Sequence, residues 1–458
     1  MARRPVDPVD TIWLNMDRAD NLMVIESLMM LDGPVDWDRF KATVEHRILD
    51  RFPVFRQRPV PSRLPMVAPH WEDDPDFDLE RHFVHARLPR PGHDRQLQAY
   101  LDRHLGRPLD RSHPMWEMHL LDGHDGGSAV YSRLHHSLAD GIALMQVLLS
   151  LSDAAPDDDL AESPETGESE HHGLLGAAAH VAAVAGHAVL DVPQLVRPRY
   201  VADAMTLARK TGGITAKLLL TRNPVSPVNG PVGVEKRVVW ADPIPLDAVV
   251  DLGHRTGSTV NDVLVSALAG ALHRYVARHH GDPVDIPTMV PVNVRPLDEP
   301  LPRELGNRFA LVLFILPSSL ETPFERLAET KRRMTAIKSS PEALLTFGLI
   351  TGIGRTGPDM ERFLVDFFAN KASGVTTNVP GPRRPRFVAG SRIRRMVGWA
   401  PESGQQTLGT GIFSYAGEVT VGFKVDAHQF PNPEELLADY QAELDELLGL
   451  AVVGAGTR

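Results

Sequence analysis

The chain has 458 residues, 43% hydrophobic and 23% charged, which excludes a disordered polymer and leaves room for two core-forming domains. It contains no cysteine, so disulfides, a thiol nucleophile and a thiolate metal site are excluded. Its formal net charge is −11, but the run from Asp153 to Glu170 holds eight acidic and no basic residues, and the remainder is nearly balanced.

In chain order, Met1-Ala2-Arg3-Arg4-Pro5 is followed by no apolar core, so no secretory signal is expected and a cytoplasmic location is. Trp116 to Leu121 alternates like a strand, His124-Asp125-Gly126-Gly127 is turn chemistry, and Ser128 to Leu134 reads as the returning strand of a hairpin. Along that strand Val130, Ser132, Leu134 and His136 share one face, and Ala129, Tyr131, Arg133 and His135 the other. Asp140-Gly141 then turns the chain into an apolar helix, Ile142 to Leu149. Residues 1–150 are read as a first half ending in this motif.

Residues 151–235 are read as a connector: an exposed acidic linker beginning at Asp153, an Ala-rich stretch from Gly173 to Leu190 too polar to span a membrane, and a basic stretch from Val196 to Arg222. The basic stretch interleaves six Arg/Lys with leucines, which suits either a peripheral seat on anionic lipid or an ordinary solvated helix face. It is almost without the aromatic residues that would stack on nucleic acid, Tyr200 alone being present. Residues 236–458 form a second half. Its expected elements are a strand at Arg237–Trp240 and helices at Pro245–Leu252 and Val263–Arg278, the latter behind a capping box at Thr259 to Asp262. An apolar strand from Asn307 to Leu316, a helix from Phe324 to Lys338, a strand at Val419–Phe423 and a terminal helix at Pro433–Leu448 follow.

The chemistry concentrates in His135-His136-Ser137-Leu138-Ala139-Asp140-Gly141, an HHxxxDG run. An imidazole at the mouth of an apolar face, with an ordinary pKa near working pH, suits general-base removal of a proton from an apolar alcohol, and His136 is that residue. His135 is its orienting or structural neighbour. Asp140 either contacts His136 as a triad acid or fixes the loop, and Gly141 supplies backbone freedom or close approach. Adjacent histidines on a strand point to opposite faces, so no metal is expected on His135, His136 and Asp140. Asn261, in the first turn of a helix, is the candidate for holding an oxyanion or the acceptor, with simple capping as the competing role. Gly352 to Gly357 spells GxGxxG, but Pro358 follows where a helix should continue, so it is no dinucleotide fingerprint.

Further motifs occur in order around this run. Asp10-Thr11-Ile12-Trp13-Leu14-Asn15-Met16-Asp17, Pro114-Met115-Trp116, Asn261-Asp262, Pro291-Val292-Asn293-Val294-Arg295, Gly306-Asn307 and Asn378-Val379-Pro380-Gly381-Pro382 span nearly the whole chain. This ordered set resembles the bacterial wax ester synthase/diacylglycerol acyltransferase family, within the superfamily of CoA-dependent acyltransferases and condensation domains. Trp13 stands where the family usually has Phe, and Asp17 where it has Glu. The resemblance implies a mixed α/β fold of two chloramphenicol-acetyltransferase-like sandwiches with a tunnel between them. It implies acyl transfer from acyl-CoA, as co-substrate and without other cofactor, to diacylglycerol or a long-chain alcohol. It also implies peripheral membrane or lipid-inclusion contact, Asp140 fixed against Arg295, and Asp17 and Asn378 beside the site; by itself Asn378 to Pro382 reads only as a rigid turn. A condensation-type enzyme using carrier-bound acyl groups and a non-catalytic lipid-surface protein are the other classes left open.

Overall fold

The computed structural model describes residues 3–62, 68–158, 226–293, 300–338 and 370–455. Most of the acidic run, the Ala-rich and basic stretches, Arg295 and the GxGxxG segment lie outside the described residues. The first half carries β1 (Arg3–Pro5), α1 (Pro8–Met16), β2 (Val24–Leu31), α2 (Trp37–Val44), β3 (Gln57–Val60), β4 (His70–Asp73), β5 (Phe83–Arg87), α3 (Asp94–Leu105), β6 (Trp116–His124), β7 (Gly127–His135) and α4 (Gly141–Leu149). The second carries β8 (Lys236–Trp240), β9 (Ile244–Pro245), α5 (Leu246–Thr256), α6 (Val260–His279), β10 (Ile286–Asn293), β11 (Phe309–Leu316), α7 (Pro323–Lys338), β12 (Gly374–Pro380), β13 (Phe387–Val388), β14 (Ser391–Trp399), β15 (Leu408–Tyr415), β16 (Glu418–Asp426) and α8 (Pro433–Ala455). No helix among the described residues is long and apolar enough to cross a membrane.

The hairpin forms as its sequence dictates. Asp125 (φ 48°) and Gly126 (φ 83°) are both left-handed, the two-residue turn whose twist matches its flanking strands. β7 is buried on both faces, and the faces meet different cores. Val130 and Leu134 enter the core of the first half with Phe40, Leu144 and Leu148. Ala129 and Tyr131 enter a second cluster with Leu97 and Leu101 of α3, Trp240 of β8 and Trp399 of β14.

That second cluster exposes a feature invisible to local periodicity: beside a small β1-β4-β3 sheet, the two large sheets do not follow the linear halves. The first lobe's sheet runs β13-β14-β2-β7-β6-β5, so two strands from residues 387–399 complete it. β14 lies antiparallel to β2, with Val397 opposite Leu28. The other lobe's sheet runs β11-β10-β12-β15-β16-β8, with β9 also paired to β16. Where β14 passes over β15 and β16, a Cβ on Gly411 would overlap the Gly398 carbonyl, and one on Gly422 would crowd Trp399. Glycine there lets the sheets approach backbone to backbone.

Two expectations need correcting. The acidic linker does not begin at Asp153, which is buried and ion-paired to the equally buried Arg47 at 2.7 Å. Its main chain also bridges to Phe387. The strand expected from Asn307 starts only at Phe309, because the two residues before it spend their amides on the candidate site.

A buried charge cluster also joins the lobes. Lys424 of β16 contacts Glu26 of β2 at 3.0 Å and Glu402 at 3.1 Å, and all three are nearly solvent-free. Burial pushes Glu26 up, while the two carboxylates outweigh burial at Lys424 and hold its ammonium above the usual lysine range. Replacing Lys424 by Met strands two buried acids, and chemical denaturation should then show a loss of about 3–5 kcal/mol.

Candidate active site

The histidine motif occupies the turn between β7 and α4, and three segments grip it. The His136 N–H donates to the Met23 carbonyl (2.8 Å), which ties the turn to the start of β2. The His136 carbonyl accepts from Asn307 Nδ2 at 2.7 Å, which ties it to the other lobe. α1 supplies the third grip. Its positions 10 and 13 lie one turn apart, and Asp17, the C-cap just past its last residue, continues the i, i+3, i+7 spacing. Trp13 stacks on the His136 ring with centroids 4.1 Å apart and planes 18° apart. Phe309 closes another side of the imidazole at 5.7 Å.

His136 is 8% exposed, and among the described residues its Nδ1 has no hydrogen-bond partner of good geometry. Burial pushes its imidazole down to about 4, only partly offset by its own carbonyl. The ring is therefore neutral at working pH. His135 points to the opposite face, as strand alternation requires. The Ser137 amide (3.2 Å) and hydroxyl (2.8 Å) both donate to its Nδ1. The proton is thus left on Nε2, which faces Asp17 Oδ2 at 3.7 Å. Burial also lowers the His135 pKa, against the pull of Asp17.

Asp17 ends α1. Burial alone would raise its carboxyl, but His135, the Met23 amide (2.9 Å) and Arg111 (3.1 Å) together hold it below the usual carboxylate range. Arg111 also donates to the Leu14 carbonyl at 2.6 Å, satisfying the C-terminal end of the helix. Asp10 accepts on one oxygen from both the amide (3.0 Å) and the side chain (2.8 Å) of Asn307. Burial pushes Asp10 up to about 7 despite those bonds.

Asp140 caps α4. Its Oδ1 accepts from the Ala143 amide (2.8 Å) and its Oδ2 from the Arg308 amide (3.1 Å). Both oxygens are engaged in fixing the loop, one of them to the opposite lobe; Arg295, the expected partner, lies outside the described residues. Gly141 is the first residue of α4, with no left-handed φ, and a Cβ there would meet nothing within 4 Å. Neither the backbone freedom nor the close approach expected of it is required by the protein's own packing.

At Asn261 the capping role falls to neighbours. Thr259 and Asp262 cap α6 reciprocally, at 3.2 and 2.8 Å. The buried Asn261 amide turns instead to Asn378, whose Nδ2 donates to its Oδ1 at 3.0 Å. Asn378 is not in a turn; it lies on β12, paired with Ile412 of β15. β12 pairs with β10 only at Thr288–Gly374 and Met289–Val375, after which the strands part. Asn378 stands at that opening, and Phe309, which touches His136, pairs with Asn293 at the same end of β10. The sequence thus named both histidines, Asp140, Asn261 and Asn378, but missed Asp10, Trp13, Asn307 and Phe309 as a constellation. The i, i+3, i+7 spacing of Asp10, Trp13 and Asp17 was the available signal.

Among the described residues one group could offer three ligands to a metal, Asp94, His124 and Asp125; His124 Nε2 lies 2.8 Å from Asp94 and 3.6 Å from Asp125, and Arg394 contacts His124 Nδ1 and Asp125 from outside. A cavity of ≈ 40 Å³ beside Asn15, Asn21, Met23 and Gly404 reaches the residue that anchors the His136 amide, and is water-sized.

If Asp140 holds the loop, Asp140→Ala should cost about 1–2 kcal/mol of stability through the lost cap, read by urea titration. An inactive variant of unchanged stability would assign it a direct role at His136.

Comparison with known proteins identifies the family and the fold. Residues 6–264 match the wax ester synthase/diacylglycerol acyltransferase catalytic domain, and residues 305–448 match the C-terminal domain of the same family. A probable diacylglycerol O-acyltransferase of Mycobacterium tuberculosis is 30% identical over 88% of this chain and 86% of its own. The fold is that of the wax ester synthase/diacylglycerol acyltransferase from Marinobacter aquaeolei, with TM-score 0.68, 22% identity, and 98% and 99% of the two chains covered. The first condensation domain of the calcium-dependent antibiotic synthetase shares it too, with TM-score 0.62, 16% identity, and 98% and 97% covered. The expected pair of chloramphenicol-acetyltransferase-like lobes is therefore correct, and the chain belongs to the wax ester synthase/diacylglycerol acyltransferase family and is an acyltransferase.

Proposed function

We propose that this acyltransferase moves a long-chain acyl group from acyl-CoA to the hydroxyl of diacylglycerol or of a long-chain alcohol, with His136 as general base. One observation carries the reading: a neutral, almost buried imidazole walled by Trp13 and Phe309, with its main chain held from both lobes. An apolar acceptor suits those walls. As its oxygen attacks the thioester carbonyl, the hydroxyl proton passes to His136. The C–O bond forms, the C–S bond breaks, and the imidazolium returns the proton to the leaving thiolate. In this reading the Asn261–Asn378 pair, near the opening between β10 and β12, holds the acceptor or the oxyanion from the second lobe. The inter-domain tunnel runs past this opening in the same reading. The chemistry asks for no resident metal or cofactor, acyl-CoA being a co-substrate.

A seat on a lipid surface follows from the acceptor's insolubility and from the basic, leucine-rich stretch 196–222. Flotation with anionic but not neutral vesicles is the expected behaviour.

Three measurements test the catalytic reading. Release of free thiol from palmitoyl-CoA should depend on added hexadecanol or dioleoylglycerol; release only from carrier-bound thioesters would assign the chain to condensation chemistry. His136→Ala should lose about 10²–10⁴-fold in kcat while palmitoyl-CoA still binds. The base acts neutral, and burial keeps it so until pH falls toward about 4. The acid limb of kcat/KM should therefore lie below about pH 5, with activity lost as pH drops through it, and a limb centred near 6.5 would contradict the buried state.

A further inference from the structure

We propose that Asn307 and Asp10 form an inter-lobe positioning couple, in which Asn307, held by Asp10, fixes the His136 main chain and so aims its imidazole. The proposal rests on His136 being the base.

Three observations carry it. Both Asn307 amide protons are spent, one on Asp10 and one on the His136 carbonyl. Flipping the amide would set its oxygen against two other oxygens, so the orientation is fixed by the network rather than arbitrary. In that orientation the buried Asn307 Oδ1 has no partner among the described residues. An apolar residue of similar size would avoid that cost, so an asparagine here points to a demand other than packing.

The couple is also placed where displacement matters. Asn307 begins a three-residue segment that meets the histidine motif at every step. Its side chain takes the His136 carbonyl, the Arg308 amide takes the Asp140 carboxylate, and the Phe309 ring lies against the imidazole. Asp10 fixes the start of that segment through two bonds to one oxygen, and sits one helical turn before Trp13, which stacks on the same imidazole. α1 and the 307–309 segment come from opposite halves of the chain. Locking them together therefore sets the His136 ring relative to both lobes at once. Neither Asp10 nor Asn307 need touch substrate, so each is a positioning residue.

The test compares Asn307→Ala, Asp10→Ala, Asp10→Asn, the Asp10→Ala/Asn307→Ala double variant and His136→Ala, with kcat, KM for palmitoyl-CoA and thermal midpoint measured for each. Removing either partner should lower kcat about 10²-fold, the cost of a small misplacement of a reacting group, with KM within about twofold of the parent. The double variant should be no worse than the worse single, because the two act as one unit. Asp10→Asn keeps the accepting oxygen and should retain most of kcat, which also serves as the deciding variant if the alanine proteins fold poorly. Near-normal kcat in Asn307→Ala, multiplicative losses in the double variant, or Asp10→Asn as impaired as Asp10→Ala would each overturn the couple. The two ideas fail separately: an active His136→Ala protein removes the base, whereas an inactive His136→Ala beside a fully active Asn307→Ala removes only the couple.

Discussion

The candidate site depends on a short turn, His135 to Asp140, being held by parts of the chain far from it in sequence. Both main-chain polar groups of His136 are satisfied by other segments, the amide by Met23 and the carbonyl by Asn307. A buried turn cannot leave those groups unpaired without a penalty comparable to a lost hydrogen bond. The partners that remove the penalty come from both lobes. The imidazole thus reaches its position only in the assembled molecule.

β7 separates two electrostatic environments. On the face shared with Val130 and Leu134, His136 emerges among aromatic rings and burial keeps it uncharged. On the other face Arg133 reaches Glu117, His135 faces Asp17, and Glu26 lies directly across from Arg133. Charge is concentrated on the His135 face, where it fixes structure, while the imidazole proposed as the base stays uncharged on the other. Pleating delivers that division, since neighbouring residues on a strand project to opposite sides.

This division was legible in advance from alternation alone, as were the hairpin turn, the capping box of α6 and most elements of the second half. What escaped had one physical cause: its determinants are non-local. Asp153 reads as linker until Arg47, far away in sequence, buries it. Asn307 and Arg308 look like the start of an apolar strand, but their amides are claimed by Asp10 and Asp140. Asn378 sits among Pro and Gly and reads as a turn, yet β15 extends it into a strand. The pairing of β14 with β2 crosses the whole chain, and no window of sequence encodes a register with so distant a partner. α1 is short and buried on more than one side, so its site-facing stripe does not stand out by hydrophobicity.

The path of β14 bears on how the polypeptide could be divided. Its pairing with β2 and the Glu26–Lys424 contact both join residues before 158 to residues after 226 without using the peptide bonds between them. Severing the backbone in that interval would leave two fragments that remain interlocked as a non-covalent pair. Expressed alone, the earlier fragment would present the bare edge of β2, an adhesive strand in search of a substitute neighbour. Fragment complementation would then rebuild the candidate site only by restoring that missing strand.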